Sequence, residues 1–287
     1  MKAFDFHTPG SLPEALELLV ELGEPARPLA GGTDLLLQMR LGERRPKALV
    51  SLRRLAELKG SRYAAEVGLR LGAYTTLREL TRDATIQAHY PCLAQTASMM
   101  GSEPVRSLAT LGGNLCNGSP SADLAPPLIA LGAESRISGS AGERALPLEG
   151  FFLGPGSTAL QPGEVLTELA FPLPLGRCVY LKHTVRAYMD IPIVGVAARL
   201  FLEGGEVREA RIVLGAVAPV PLRAAAAERS LEGGALTHER IQAAAELAQA
   251  ACSPISDLRG SEGYRRRMVR VLVVRALESL WPNGRGE

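Results

Sequence analysis

Apolar and polar positions alternate with three different textures along the chain. Leu12, Leu16, Leu19 and Leu22 recur at helical spacing behind Ser11 and Glu14, which stand at capping-box distance, and Gly23 marks a stop. A short strand at 27–30, an apolar helix from Asp34 to Leu41 and a strand at 48–52 follow, so this stretch reads strand–helix–strand–helix–strand. Next, Val67, Leu69, Leu71 and Ala73 alternate with Gly and Arg as a strand does, and Thr76 with Glu79 repeats the capping-box spacing. A helical run over 91–100 leads into a Gly- and Asn-rich loop at 110–123. Asp123 is then placed to cap the apolar segment 124–131, whose first turns hold Pro126 and Pro127, and 165–172 reads as a strand. The last texture is two long apolar runs, 193–202 and 206–217, joined by Glu203-Gly204-Gly205, a hairpin signal. Helices are expected at 238–251 after Thr237 and at 261–281. The second turns Tyr264, Met268, Leu272 and Val273 inward and Arg265–Arg267 to solvent.

Length and composition narrow the class. The chain has 287 residues, 46% hydrophobic and 22% charged, enough for two or three packed units and unlike a disordered chain. A net charge of +2 leaves no basic excess pointing to nucleic acid. No window resembles a membrane span, and MKAFDFHTPG lacks the apolar run of a signal peptide, so a cytoplasmic location is expected. The cysteines at 92, 116, 178 and 252 and the four histidines have no metal-ligand spacing, so no metal is expected.

Two glycine-rich segments carry the candidate chemistry. The first, Pro28-Leu29-Ala30-Gly31-Gly32-Thr33-Asp34-Leu35, joins a strand to a helix, where a glycine pair admits close backbone approach and the amides after it can face a phosphate. It matches neither common nucleotide fingerprint, and a plain turn with Asp34 as helix cap explains it as well. The second runs through Thr110-Leu111-Gly112-Gly113-Asn114 to Asn117 and Asp123, with amides and hydroxyls suited to a pyrophosphate and a carboxylate suited to a sugar hydroxyl. A long structural loop ending in an Asp123 cap is the alternative. Two such segments in one chain suggest a nucleotide held between lobes.

A-G-G-T-D-L at 30–35, G-S-x-x-V-R-x-x-A-T-L-G-G-N-L at 101–115, S-P-x-x-D at 119–123 and S-D-L-R-G-S-E-G-Y-R at 256–265 together resemble the FAD-binding medium subunit of molybdenum hydroxylases, over nearly the whole chain. The resemblance implies an α+β fold: two FAD-binding subdomains of the vanillyl-alcohol oxidase and p-cresol methylhydroxylase type, and a C-terminal α+β domain like that of carbon monoxide dehydrogenase flavoprotein. Boundaries are expected at 1–58, 59–175 and 176–287. The resemblance also implies that residues 28–35 wrap the pyrophosphate, that Thr110–Asn114 add contacts, and that Asn117 and Asp123 reach the sugar or ribityl chain. Leu166 falls at an apolar flavin-contact position and Lys182 near the isoalloxazine, although by residue type alone they read as a core leucine and a snorkelling lysine. Ile191 stands where the xanthine dehydrogenase branch has an aliphatic residue over the ring and the carbon monoxide dehydrogenase branch usually has tyrosine. Tyr188 lies close by, and Asp190 and Tyr188 are candidates for tuning or gating rather than acid–base chemistry. Met100 stands where some members place an aromatic residue on FAD.

No histidine follows the first glycine pair, so the FAD is expected to be non-covalent. The flavin would be the redox centre, taking electrons from [2Fe-2S] clusters on a small subunit and passing them to NAD+ or another acceptor, while a molybdopterin-binding large subunit hydroxylates the substrate. A dimer of heterotrimers is expected. The competing readings are a self-sufficient FAD-dependent reductase of the same fold and an assembly module that has lost FAD.

Overall fold

The computed structural model describes residues 2–281, and Met1 and residues 282–287 of the expected first and third units lie outside the described residues. Three larger sheets, each with its own helices, succeed one another along the chain.

The first comprises β1 (Asp5–His7), α1 (Leu12–Leu22), β2 (Ala26–Leu29), α2 (Leu35–Leu41) and β3 (Ala48–Ser51). Its three strands are parallel in the order β1-β3-β2, the geometry that helical crossovers produce. Ser11 caps α1 through the Glu14 amide, and Ala15, Leu19, Val50 and Leu55 fill the small core. The central strand β3 is buried along its length.

The second comprises β4 (Ser61–Ala64), β5 (Gly68–Gly72), α3 (Leu77–Arg82), α4 (Ala84–His89), α5 (Pro91–Ser98), α6 (Glu103–Arg106), α7 (Leu111–Cys116), α8 (Ala125–Ala130), β6 (Glu134–Gly139), β7 (Gly142–Pro147), β8 (Phe152–Gly154), β9 (Ser157–Thr158) and β10 (Val165–Phe171). Its five-stranded sheet runs β4-β5-β10-β6-β7, and β8 and β9 pair separately. Leu69 and Leu71 point inward as their alternation predicts, and Thr76 and Glu79 form the full capping box. The β6–β7 hairpin escaped the sequence reading because β7 is largely exposed and polar, with no apolar alternation to mark it.

Two expectations are corrected here. The expected loop at 110–123 is a loop only after Cys116: α7 starts at once, capped by the Thr110 hydroxyl accepting from the Gly113 amide. Nor does Asp123 cap α8, which is preceded by Leu124 and has no side-chain cap. Asp34 precedes α2 likewise without a side-chain cap bond.

The third comprises β11 (Arg177–His183), β12 (Val194–Glu203), β13 (Glu206–Gly215), β14 (Leu222–Arg223), α9 (Ala225–Leu231), α10 (His238–Ala251) and α11 (Glu262–Leu280). Its strands are antiparallel in sequence order, and Gly204 and Gly205, both at positive φ, make the expected two-residue hairpin turn. The apolar faces of α10 and α11 cover the sheet around Val196, Ile212, Ala245 and Val273.

Arg265 departs from expectation. Only 1% exposed, it points inward, donating from Nη1 to the carbonyls of Ile193 (2.8 Å) and Ala216 (3.2 Å) and from Nη2 to Asp257 Oδ1 (2.7 Å). Helical spacing put it beside Arg266 and Arg267 on the polar face, but acceptors at the helix start make an inward guanidinium tolerable. Its neighbour Tyr264 places Oη 2.8 Å from His183 Nε2. The start of α11 therefore holds both bases of the segment 184–192, whose ends meet through Ile193 N donating to His183 O.

Candidate functional site

Residues 28–35 lie at the C-terminal end of β2, where the chain leaves a parallel sheet, and α7 packs its start alongside. A cleft of about 600 Å³ opens between them. Pro28 to Leu35, Met100, Thr110, Gly112, Gly113, Asn114, Asn117 and Leu166 line it.

The two glycine pairs serve different ends. A Cβ at Gly31 would stand 1.8 Å from the Leu108 carbonyl oxygen, so this glycine lets the two segments touch each other. Gly32 has φ +74°, which turns the chain into the cleft wall. The amides of Gly31, Gly32, Thr33 and Asp34 donate to no group among the described residues, leaving a row of free N–H groups of the kind that binds anions. The second segment is the reverse. Leu111 N donates to Thr75 O, Gly112 N to Ala73 O, Gly113 N to Thr110 Oγ1 and Asn114 N to Thr110 O, so its amides are taken up inside the fold. Gly112 is glycine because Ala73 lies 2.9 Å from where its Cβ would be. What this segment offers the cleft is side chains, and Asn114 Oδ1 is buried with no hydrogen-bond partner among the described residues. A buried acceptor in that state indicates a missing donor.

Arg44 Nε donates to Gln38 Oε1, and Gln38 Nε2 donates to Asn117 Oδ1 at 3.1 Å, linking α2 to the end of α7 across the cleft. Burial raises the Asp34 carboxyl pKa. The sequence reading missed Gln38, Arg44, Tyr74 and the 156–164 wall of the cleft. Gln38 is legible as the polar position one helical turn after Asp34, whereas the wall comes from a turn with no chemical signature.

The remaining expected residues do not line this cleft. Leu111 is fully buried in the core beneath it. Asp123, Lys182, Asp190 and Ile191 form a second cluster next to the Met99–Met100 edge of the cleft. Lys182 Nζ donates to Asp123 Oδ2 (3.1 Å) and to the carbonyls of Met99 (3.3 Å) and Asp190 (3.3 Å). Tyr180 Oη donates to Asp123 Oδ1 at 2.9 Å. Burial raises the Asp123 carboxyl pKa, against the opposing pull of Lys182 and Tyr180. The Asp190 carboxylate accepts from the amides of Arg186 and Ile191, and these bonds hold its pKa down. Tyr188, Met189 and Ile191 stand exposed on the segment 184–192, with Met189 at φ +53°.

Comparison with known proteins shows the family of the chain. Residues 2–174 match the model of the FAD binding domain in molybdopterin dehydrogenase, and residues 179–280 match the CO dehydrogenase flavoprotein C-terminal domain. The chain belongs to the FAD-binding medium subunits of the molybdenum hydroxylases. It is a flavoprotein oxidoreductase subunit. It is 34% identical to the xanthine dehydrogenase FAD-binding subunit of Escherichia coli O157:H7 over 96% of both chains. It is 36% identical to the carbon monoxide dehydrogenase medium chain of Hydrogenophaga pseudoflava over 97% of both. Identity therefore does not separate the two branches. A solved carbon monoxide dehydrogenase structure from Hydrogenophaga pseudoflava superposes with a TM-score of 0.94 at 38% identity, covering 98% of both chains. No helix among the described residues is long and apolar enough to cross a membrane.

Proposed function

We propose that this subunit passes electrons from [2Fe-2S] clusters on a small partner subunit through FAD to NAD+ or another acceptor. The same reading has a molybdopterin-binding large subunit hydroxylating the substrate, within a cytoplasmic dimer of heterotrimers. The units 1–58 and 59–175 hold the cofactor and 176–287 covers it.

The observation that carries this reading is the cleft: free amides of residues 31–34 on one wall face an unpartnered Asn114 Oδ1 and the Asn117 side chain on the other. The amides suit the pyrophosphate of a dinucleotide and the two asparagines suit hydroxyl and amide donors, so the residues present fit FAD. Leu166 and Met100 supply apolar wall. Asp123 and Lys182, outside the cleft at its Met99–Met100 edge, serve the sugar or ribityl chain and the ring end from there, and Ile191, Tyr188 and Asp190 border the approach of an acceptor. When bound, FAD joins one-electron carriers to a two-electron acceptor. Among the described residues no group of three His, Cys, Asp or Glu side chains is placed to hold a metal ion. Burial pushes the Cys116 thiol beside the cleft up to about 12, so it is no thiolate at neutral pH.

An absorption spectrum of the purified chain after incubation with FAD tests the reading, followed by heat release of the cofactor. The expected result is an oxidised-flavin spectrum, FAD in the supernatant, and reduction by a hydroxylase substrate only when the partner subunits are added. A chain that takes up no flavin would return the glycine segments to a purely architectural role. Reduction of the isolated chain by NADH at the rate of the complex favours the self-sufficient reductase.

A further inference from the structure

We propose that Tyr180 is a positioning residue for the flavin site, fixing the Asp123 carboxylate that Lys182 shares. This rests on the FAD reading above and adds a residue that no motif of the sequence singled out.

Asp123 is buried, and each carboxylate oxygen has a donor of its own: Tyr180 Oη on Oδ1 and Lys182 Nζ on Oδ2. Tyr180 and Lys182 are two residues apart on β11 and therefore project from the same face of the strand, so one backbone sets both donors. Lys182 alone would leave Oδ1 as a buried acceptor without a partner and the carboxylate free to turn about its last torsion. Its ammonium is already shared among Asp123, Met99 O and Asp190 O.

A second observation shows that the fold makes room for this tyrosine. Gly195 lies inside β12, opposite Lys182, with no positive φ to require glycine. A Cβ there would stand 2.6 Å from Tyr180 Oη and 3.1 Å from its ring. A strand-interior glycine marks a close approach, and here what approaches is the phenol that holds Asp123. Neither Tyr180, 5% exposed, nor Asp123 lines the cleft, so Tyr180 acts on the cofactor through the Asp123–Lys182 pair, whose Lys182 Nζ reaches the Met99 carbonyl at the cleft edge. The charged and titratable groups around the pair are Lys182 on β11, Asp190 on the 184–192 segment and Cys92 of α5, beside Tyr180.

The test is FAD titration of the full-length chain across pH, for Tyr180→Phe in the wild-type and in the Asp123→Asn background. Tyr180→Phe should weaken FAD binding about tenfold at neutral pH, the order expected for a lost hydrogen bond to a charged group. Its acid limb should move to higher pH, because a carboxylate with one donor fewer protonates sooner. In the Asp123→Asn background, where a neutral amide Oδ1 still accepts from the phenol, the same substitution should cost clearly less affinity and leave the pH profile unchanged. Gly195→Ala, which displaces the phenol without removing it, should shift the wild type in the same direction and carries the comparison if Tyr180→Phe does not fold. Wild-type affinity and pH profile in Tyr180→Phe, or an equal loss with and without the Asp123→Asn substitution, overturns the positioning role alone. A wild-type chain that takes up no FAD overturns the cofactor reading and this role with it.

Discussion

Gly31 shows how one residue type can be singled out correctly for an incomplete reason. Glycine pairs suggest a ligand approaching the backbone, yet the atom nearest to a Cβ at Gly31 is the Leu108 carbonyl oxygen, 1.8 Å away. Gly31→Ala therefore acts by pushing the two segments apart. It should lower stability by about 1–3 kcal/mol, the usual cost of overpacking, and reduce FAD affinity as well. Chemical denaturation checks the first and flavin titration the second. Unchanged stability would show that the segments do not meet in solution. Asp123 is the converse case. Its place ahead of an apolar helix read as a cap, but the carboxylate faces Tyr180 and Lys182 of another sheet, which no local pattern can indicate.

At the level of elements, helices and strands with a strong period were legible: α1, α2, β5, the β12–β13 hairpin, α10 and α11 all lie where apolar spacing puts them. Elements carried by tertiary context were not. The hairpin β6–β7 pairs through its backbone with few apolar side chains on its outer strand, and α7 begins inside a segment whose Gly, Asn and Thr content reads as loop. Arg265 belongs to this scale because it joins α11 to the start of β12 and to the turn at 257–260. Arg265→Ala takes the donor from the Ile193 and Ala216 carbonyls and one of the two arginines from Asp257, which keeps Arg259. The expected loss is about 1–3 kcal/mol, read by urea denaturation. It should also free the 184–192 segment to be cut sooner by protease.

For the whole molecule, the cleft lies between separately built parts and is completed by side chains from α7 and β10. A ligand bound there bridges packed units and is linked to their joint stability. FAD at a hundredfold excess over its dissociation constant should add about 2.7 kcal/mol and raise the melting temperature, with ADP giving part of the effect if the amides of 31–34 hold the pyrophosphate. A melting temperature indifferent to both ligands would place the cofactor elsewhere.

The sequence by itself determined the periodic elements, the two glycine segments and the family to which their order points, because each is written in residues close along the chain. Only the tertiary structure decided which amides stay free, which asparagine lacks a partner, and that Tyr180 and Lys182 share one carboxylate. Those depend on segments distant in sequence meeting at hydrogen-bond distance, as Asp123 and Lys182 do, 59 positions apart, and Gln38 and Asn117, 79 apart. Local spacing records which side chains a strand or helix presents, whereas the packing of one sheet on the next chooses their partners.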